Sequence, residues 1–215
     1  MNINVKKIFV LEGLPGTGKT TIIKYFKKED DFCAVNEVLP RDPGYDSPPN
    51  RDYFTHSDIL KTEKIKNSRA QYCLLDRYFI STLAFNWALD KTYKTREYER
   101  VFAWYEDGIK RGRLLIPTLT FIIELSGERS FARKRREAAE DSDVPWHNRK
   151  FVEYFKEYYN IYFREVSPRE RAVKIKGTET SENIINLIKK YSQSKNYATG
   201  QLSPRHAKTI SAVCR

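Results

Sequence analysis

Hydrophobic residues gather in five short runs along the chain, separated by longer stretches of helical spacing. The runs are "KIFVLEG" (Lys7–Gly13), "DFCAVNEV" (Asp31–Val38), "QYCLLD" (Gln71–Asp76), "LTFIIEL" (Leu119–Leu125) and "RAVKIKG" (Arg171–Gly177). The first, third and fourth are nearly continuous in apolar residues rather than alternating, as in strands covered on both faces. The spacing predicts helices over about 19–28, 57–68, 80–111, 128–140 and 149–165. "TSENIINLIKKY" adds a last helix, capped by Thr180 or Ser181, with apolar residues at 184, 185, 187 and 188. Strands alternating with helices predict βαβ crossovers: an α/β domain with a five-stranded, mostly parallel sheet and helices on both faces.

Two segments stand outside this rhythm. "PRDPGYDSPPNRDY" (Pro40–Tyr53) holds four prolines and reads as a long loop. At the carboxyl edge of a parallel sheet such a loop lies where ligands bind. From Ser192 the pattern fades, so the expected organisation is one domain over residues 1–191 and a flexible basic tail over 192–215.

Composition narrows the class. No apolar run approaches the roughly 20 residues that span a bilayer, and the N-terminus lacks the shape of a signal peptide. A cytoplasmic chain with no membrane partner is expected. Cys33, Cys73 and Cys214 are far apart and in no metal-ligand spacing; Cys33 and Cys73 read as small core residues in strands. Lys plus Arg total 39 against 28 for Asp plus Glu, a net charge of +11 that favours polyanionic partners without choosing among them.

"GLPGTGKT" (Gly13–Thr20) fits the pattern G-x-x-x-x-G-K-[ST] completely, with a strand before it and a helix after it. Gly13, Gly16 and Gly18 let main-chain N–H groups turn inward around phosphate oxygens, with Leu14, Pro15 and Thr17 between them. The positive end of the next helix, which opens Lys19-Thr20-Thr21, points at the same anion. Lys19 supplies a mobile charge to the β- and γ-phosphates, and Thr20 a hydroxyl ligand for Mg²⁺. ATP and Mg²⁺ are the expected cofactors.

The third strand runs into "LLDRYFISTLAFN" (Leu74–Asn86), which puts Asp76 and Arg77 at its carboxyl end. A carboxylate there can hold Mg²⁺ or take a proton, and a guanidinium can hold phosphate oxygens bidentately. Asp-Arg-Tyr followed by Ser81, Leu83-Ala84 and Phe85 resembles the DRYxxSxxAY signature of thymidylate kinases, whose wider group includes the deoxynucleoside kinases. "EGLPGTGKTT", "IPTLTFIIEL", "ERSFARKRRE" and "KIKGTETSENI" are similar, in order, to that group's phosphate loop, fourth strand, lid helix and adenine-side loop. The likeness covers about Lys7 to Lys190. It implies a P-loop nucleoside or nucleotide kinase fold with a short lid over about 129–148, Arg133 at the γ-phosphate, Arg133 and Arg136 on ATP, and Thr178 beside adenine. It also implies a possible homodimer through a long helix.

The departures concern the acceptor. Asn36-Glu37 stands where thymidylate kinases carry Arg-Glu, and "FTHSDILKTEKIKNS" lacks their monophosphate-gripping arginine. Glu37 lies where a deoxynucleoside kinase keeps its general base, pointing to a hydroxyl acceptor. The Asp76-Arg77-Tyr78 signature points back to a monophosphate, for which Arg41 or Arg51 could substitute. The expected activity is ATP- and Mg²⁺-dependent phosphoryl transfer to a nucleoside or nucleoside monophosphate. A kinase of another hydroxylated small molecule and a nucleic-acid-binding ATPase are the alternatives. Against the latter, no N-K-x-D tetrad and no second Walker carboxylate pair is present. Arg129, Arg133 and Arg136 share one helix face. His147 reads as loop structure rather than catalyst. The aromatics of "FVEYFKEYYNIYF" (Phe151–Phe163) read as core or a dimer surface.

Overall fold

The computed structural model describes residues 6–37, 53–130, 132, 145–166 and 171–194. The strands are β1 (Lys7–Gly13), β2 (Phe32–Val35), β3 (Tyr72–Asp76), β4 (Leu119–Glu124) and β5 (Ala172–Lys176). The helices are α1 (Lys19–Phe26), α2 (Tyr53–Asn67), α3 (Phe79–Tyr93), α4 (Tyr98–Lys110), α5 (Arg149–Val166) and α6 (Ser181–Gln193), with a 3-10 turn at Pro145–His147. A helical turn also opens at residues 127–130.

The five strands form one sheet in the order β2-β3-β1-β4-β5, and every neighbouring pair is parallel. The continuous apolar runs follow from this arrangement. Ile8, Val10, Cys73, Leu75 and Ile122 turn to one face and pack with α2–α5. Phe9, Leu11, Leu74, Phe121 and Ile123 turn to the other and pack with α1 and α6. Alternate residues of a strand point to opposite faces, so with both faces buried most positions are apolar, Glu12 in β1 and Thr120 in β4 being buried polar residues among them. Burying a side chain such as Phe9 completely contributes about 2–3 kcal/mol.

The helix expected over 80–111 is two helices. The chain breaks at residues 94–97, where Lys94 and Arg96 take left-handed backbone angles of 61° and 65°. The carboxylate of Asp90 then accepts from the N–H groups of Glu97 (2.8 Å) and Tyr98 (3.0 Å), capping the start of α4. α2 begins at Tyr53, four residues before the expected start. α6 is capped by Thr180, whose hydroxyl accepts from Asn183 N–H at 3.1 Å. It runs to Gln193, two residues past the expected boundary of the domain. The Lys7 ammonium binds the carbonyls of Ser192 (2.8 Å) and Ser194 (2.7 Å), tying that end to β1.

Cys73 is buried in β3 and Cys33 half-buried beside it in β2, as expected. Phe151, Phe155, Tyr158 and Tyr159 of α5 are buried core residues. The lid helix beyond residue 132, Arg133, Arg136, Arg41, Arg51, Cys214 and the tail from 195 lie outside the described residues.

Candidate active site

The order β2-β3-β1 brings three chain segments to the carboxyl edge of the sheet: the glycine-rich turn after β1, Asp76-Arg77 after β3, and Glu37 after β2. Gly13, Gly16 and Gly18 all have positive φ (137°, 77° and 85°). At Gly13 a Cβ would come within 2.5 Å of the Ile123 carbonyl, so only glycine lets β1 leave the sheet there. Gly18 starts α1 with no side-chain cap, and no acid sits in the first turn. The positive end of that helix is left to an anion.

Lys19 is buried. Its ammonium donates to the carbonyls of Gly13 (3.1 Å) and Leu14 (3.0 Å) and to Thr17 Oγ1 (2.9 Å). Burial and the nearby Arg77 charge push it down to about 7. A phosphate anion in the cradle would restore its charge. Ser130 Oγ donates to the Pro15 carbonyl at 3.0 Å, joining the helical turn after β4 to the same loop. Thr21 lies exposed in the first turn of α1.

Thr20 Oγ1 donates to Asp76 Oδ2 at 3.4 Å. The other oxygen, Asp76 Oδ1, is buried without a hydrogen-bond partner among the described residues. Burial raises the Asp76 carboxyl above its ordinary range, and the charge of Glu37 adds to the rise while Lys19 opposes it. An orphaned carboxylate oxygen beside a threonine hydroxyl is a hard-oxygen donor set that fits Mg²⁺. That ion is typically held by one or two carboxylates together with substrate phosphates.

Arg77 is buried and has a φ of 59°. For a residue with a Cβ this conformation costs on the order of 1–2 kcal/mol. The surroundings over-determine it. Arg77 N–H donates to the Leu11 carbonyl (3.0 Å), and the next N–H, of Tyr78, donates to Glu12 Oε1 (3.0 Å). Arg77 Nη1 donates to Ser81 Oγ at 3.3 Å, and Nε lies 3.3 Å from Glu37 Oε2 as an ion pair without hydrogen-bond alignment.

The motif residues around Arg77 divide into support and core. Tyr78 is buried, with its hydroxyl 2.6 Å from Thr62 Oγ1 and accepting from Leu115 N–H. Leu83 and Ala84 are core, and Phe85 packs against Phe54, Trp146 and Phe151.

Four functional candidates were not anticipated from sequence. Glu12 is wholly buried; its Oε2 accepts from Tyr159 OH (2.9 Å) and from Ser81 Oγ. Burial lifts its carboxyl to about 7, against the opposing pull of Ser81, Arg77 and Tyr159. A lone acid in a strand with two buried faces was the available signal. Asp58 and Lys61 of α2 are buried beside the Asp76-Arg77 main chain, and "YFTHSDILKTEKIKN" lacks a clean apolar stripe that would have set them apart. Ser130 carried no signal of its own.

Thr178 is exposed in the turn after β5. That turn begins at Gly177, where a Cβ would meet the Glu124 carbonyl at 1.9 Å. His147 lies in the 3-10 turn before α5.

Solved structures give the fold a context. A deoxyadenosine kinase from M. mycoides with bound dATP superposes with a TM-score of 0.61 at 13% identity, over 87% of this chain and 100% of that one. The same kinase with the products dCMP and a flexible dCDP gives 0.63 at 16%, over 86% and 97%. A thymidylate kinase from Candida albicans gives 0.60 at 12%, over 90% and 93%. The chain has the thymidylate kinase and deoxynucleoside kinase fold. Its all-parallel sheet and glycine-rich turn are the parts of this kinase fold described above. No family model and no curated protein matches the sequence. Among the described residues no helix is long and apolar enough to cross a membrane.

Proposed function

We propose that the protein transfers the γ-phosphoryl group of ATP to a nucleoside hydroxyl. The observation that carries the reading is the convergence of Lys19 and Thr20 with Asp76, Arg77 and Glu37 at one edge of the sheet. In this reading the kinase domain binds ATP through Gly13 to Thr21, with Thr178 on the base side, and Arg133 and Arg136, which lie outside the described residues, would serve the same nucleotide.

The roles follow from charge and geometry. The main-chain N–H groups of the glycine-rich turn and the end of α1 hold the phosphates. Lys19 exchanges its carbonyl partners for β- and γ-phosphate oxygens, which offsets charge where it develops. Arg77, already fixed by Ser81 and its left-handed turn, presents a planar fork to the transferring group with little reorganisation. Glu37 takes the proton of the acceptor hydroxyl as the new O–P bond forms. Thr20 and Asp76 would hold Mg²⁺, which would supply charge neutralisation between the phosphates.

Lys61 supports the hydroxyl acceptor over the monophosphate. Its ammonium, on the α2 side of the site, is spent on main-chain carbonyls and is not left to grip a monophosphate. A monophosphate acceptor remains the second reading, because the Asp76-Arg77-Tyr78 signature is that of thymidylate kinases. A panel of nucleosides and nucleoside monophosphates incubated with γ-labelled ATP and Mg²⁺ tests the proposal. Label in a nucleoside supports it, label in a monophosphate alone selects the second reading, and no label in any acceptor overturns both.

A further inference from the structure

Lys61 and Asp58 form an ion pair on α2 with side chains 3% exposed, and the proposed chemistry does not use either. Taking both charges out of water is costly, and a well-packed apolar pair of similar volume is often as stable or more so. The pair therefore needs an explanation other than stability. Its hydrogen bonds supply one. The Lys61 ammonium donates to the carbonyls of Arg77 (2.9 Å) and Asp76 (3.2 Å) and lies 3.4 Å from Asp58 Oδ1. Asp58 Oδ2 accepts from Tyr105 OH (2.7 Å) and Thr82 Oγ1 (3.4 Å), which fixes the carboxylate from α4 and α3.

In an extended strand the carbonyls of consecutive residues point in opposite directions, so one donor cannot take both. Here the left-handed turn at Arg77 (φ 59°) brings the Asp76 and Arg77 carbonyls to the same ammonium. The ammonium has three donors, and the two carbonyls and Asp58 use all three. We infer that Lys61, anchored by Asp58, is a positioning residue that clamps the Asp76-Arg77 turn in the one conformation that sets the Asp76 carboxylate beside Thr20 and the Arg77 guanidinium beside Glu37. Without the clamp, only the N–H side of the turn stays held, by Arg77 N–H to Leu11 and Tyr78 N–H to Glu12, and with the carbonyl side released both side chains lose their aim. This inference rests on the phosphoryl-transfer reading.

The test uses the full chain with Lys61→Met, and with Lys61→Met combined with Asp58→Leu to remove both buried charges. Three quantities are read: the thermal unfolding midpoint, the Kd for ATP without metal, and the factor by which Mg²⁺ tightens ATP binding. The double variant is expected to unfold at or above the midpoint of Lys61→Met. It keeps metal-free ATP affinity within about 3-fold, since the glycine-rich turn is untouched. The tightening by Mg²⁺ falls by about 10-fold or more, and kcat for the acceptor labelled by the wild type falls by about 10²-fold. Arg77→Lys added to either variant costs little more, because the fork is already misaimed.

Unchanged Mg²⁺ tightening and kcat in a folded variant would overturn the clamp while leaving the kinase reading intact. So would losses that add fully to those of Arg77→Lys. If the wild-type protein neither binds ATP nor labels any acceptor, the kinase reading falls and the clamp with it. Should Lys61→Met fail to fold, the double variant still decides the matter, because it carries no unpaired buried charge. Failure of both to fold would make the pair a stability element and overturn the proposal.

Discussion

Arg77 Nε lies 3.3 Å from Glu37 Oε2, which pairs the residue after β3 with the second residue after β2. The Arg77 side chain is 10% exposed and that of Glu37 33%, so the guanidinium is fixed and the carboxylate reaches solvent. Arg77→Lys keeps the charge and loses the planar fork. The expected loss in kcat is on the order of 10²-fold or more, the scale for removing one transition-state donor. Steady-state kinetics check it. An unchanged kcat would reduce Arg77 to a structural ion-pair partner.

Glu37→Gln separates the two acceptor classes. A hydroxyl needs a base, and the amide cannot take its proton, so kcat should fall by roughly 10²–10⁴-fold. A monophosphate is already an anionic nucleophile, and the same substitution should then cost little, while Arg41→Ala or Arg51→Ala raises KM sharply. Near wild-type phosphorylation of a monophosphate by Glu37→Gln would return the acceptor to the nucleotide class.

Glu12 gives a pH signature. Its carboxyl rises from an ordinary 4.5 to about 7 in the folded protein. Between those values the folded state holds a proton that the unfolded state has released. Stability therefore falls as pH rises from 4.5 to 7 and levels off above it. The full shift corresponds to about 3 kcal/mol. Denaturant unfolding of the wild type and of Glu12→Gln at pH 5 and pH 7 isolates this contribution. The variant should lose less stability than the wild type over that interval. Equal losses would show that Glu12 ionises normally.

Much of the fold was legible because burial on both sheet faces writes itself into the sequence as continuous apolar runs. β1 was read to the residue, and β3, β4 and β5 to within one residue at either end. The glycine-rich turn was legible because each glycine answers a steric demand that no other residue meets, as the Ile123 carbonyl shows at Gly13. The α3–α4 break was not legible. It uses Lys94 and Arg96, not glycine, at positive φ, and its cap comes from Asp90, seven residues before the N–H of Glu97 that it binds. Asp76 and Arg77 were expected at the end of the third strand, whereas Glu37 was singled out by the resemblance, within a second run read to Val38, three residues past where β2 ends. Glu12, Asp58 and Lys61 were missed because their partners are brought together only by the packing of α2, α3, α4 and α5 onto the sheet. Sequence spacing alone carries no record of such contacts.

Phosphoryl transfer itself is tested most directly at Lys19. Lys19→Met keeps the length of the side chain and removes the charge that serves the β- and γ-phosphates. The measurement is transfer of label from γ-labelled ATP to the acceptor panel, with wild type and Lys19→Met side by side and thermal unfolding as a control. The account predicts one labelled acceptor class with the wild type and label at background with a folded Lys19→Met. Near-normal transfer by Lys19→Met, or no labelled acceptor with the wild type, would contradict it.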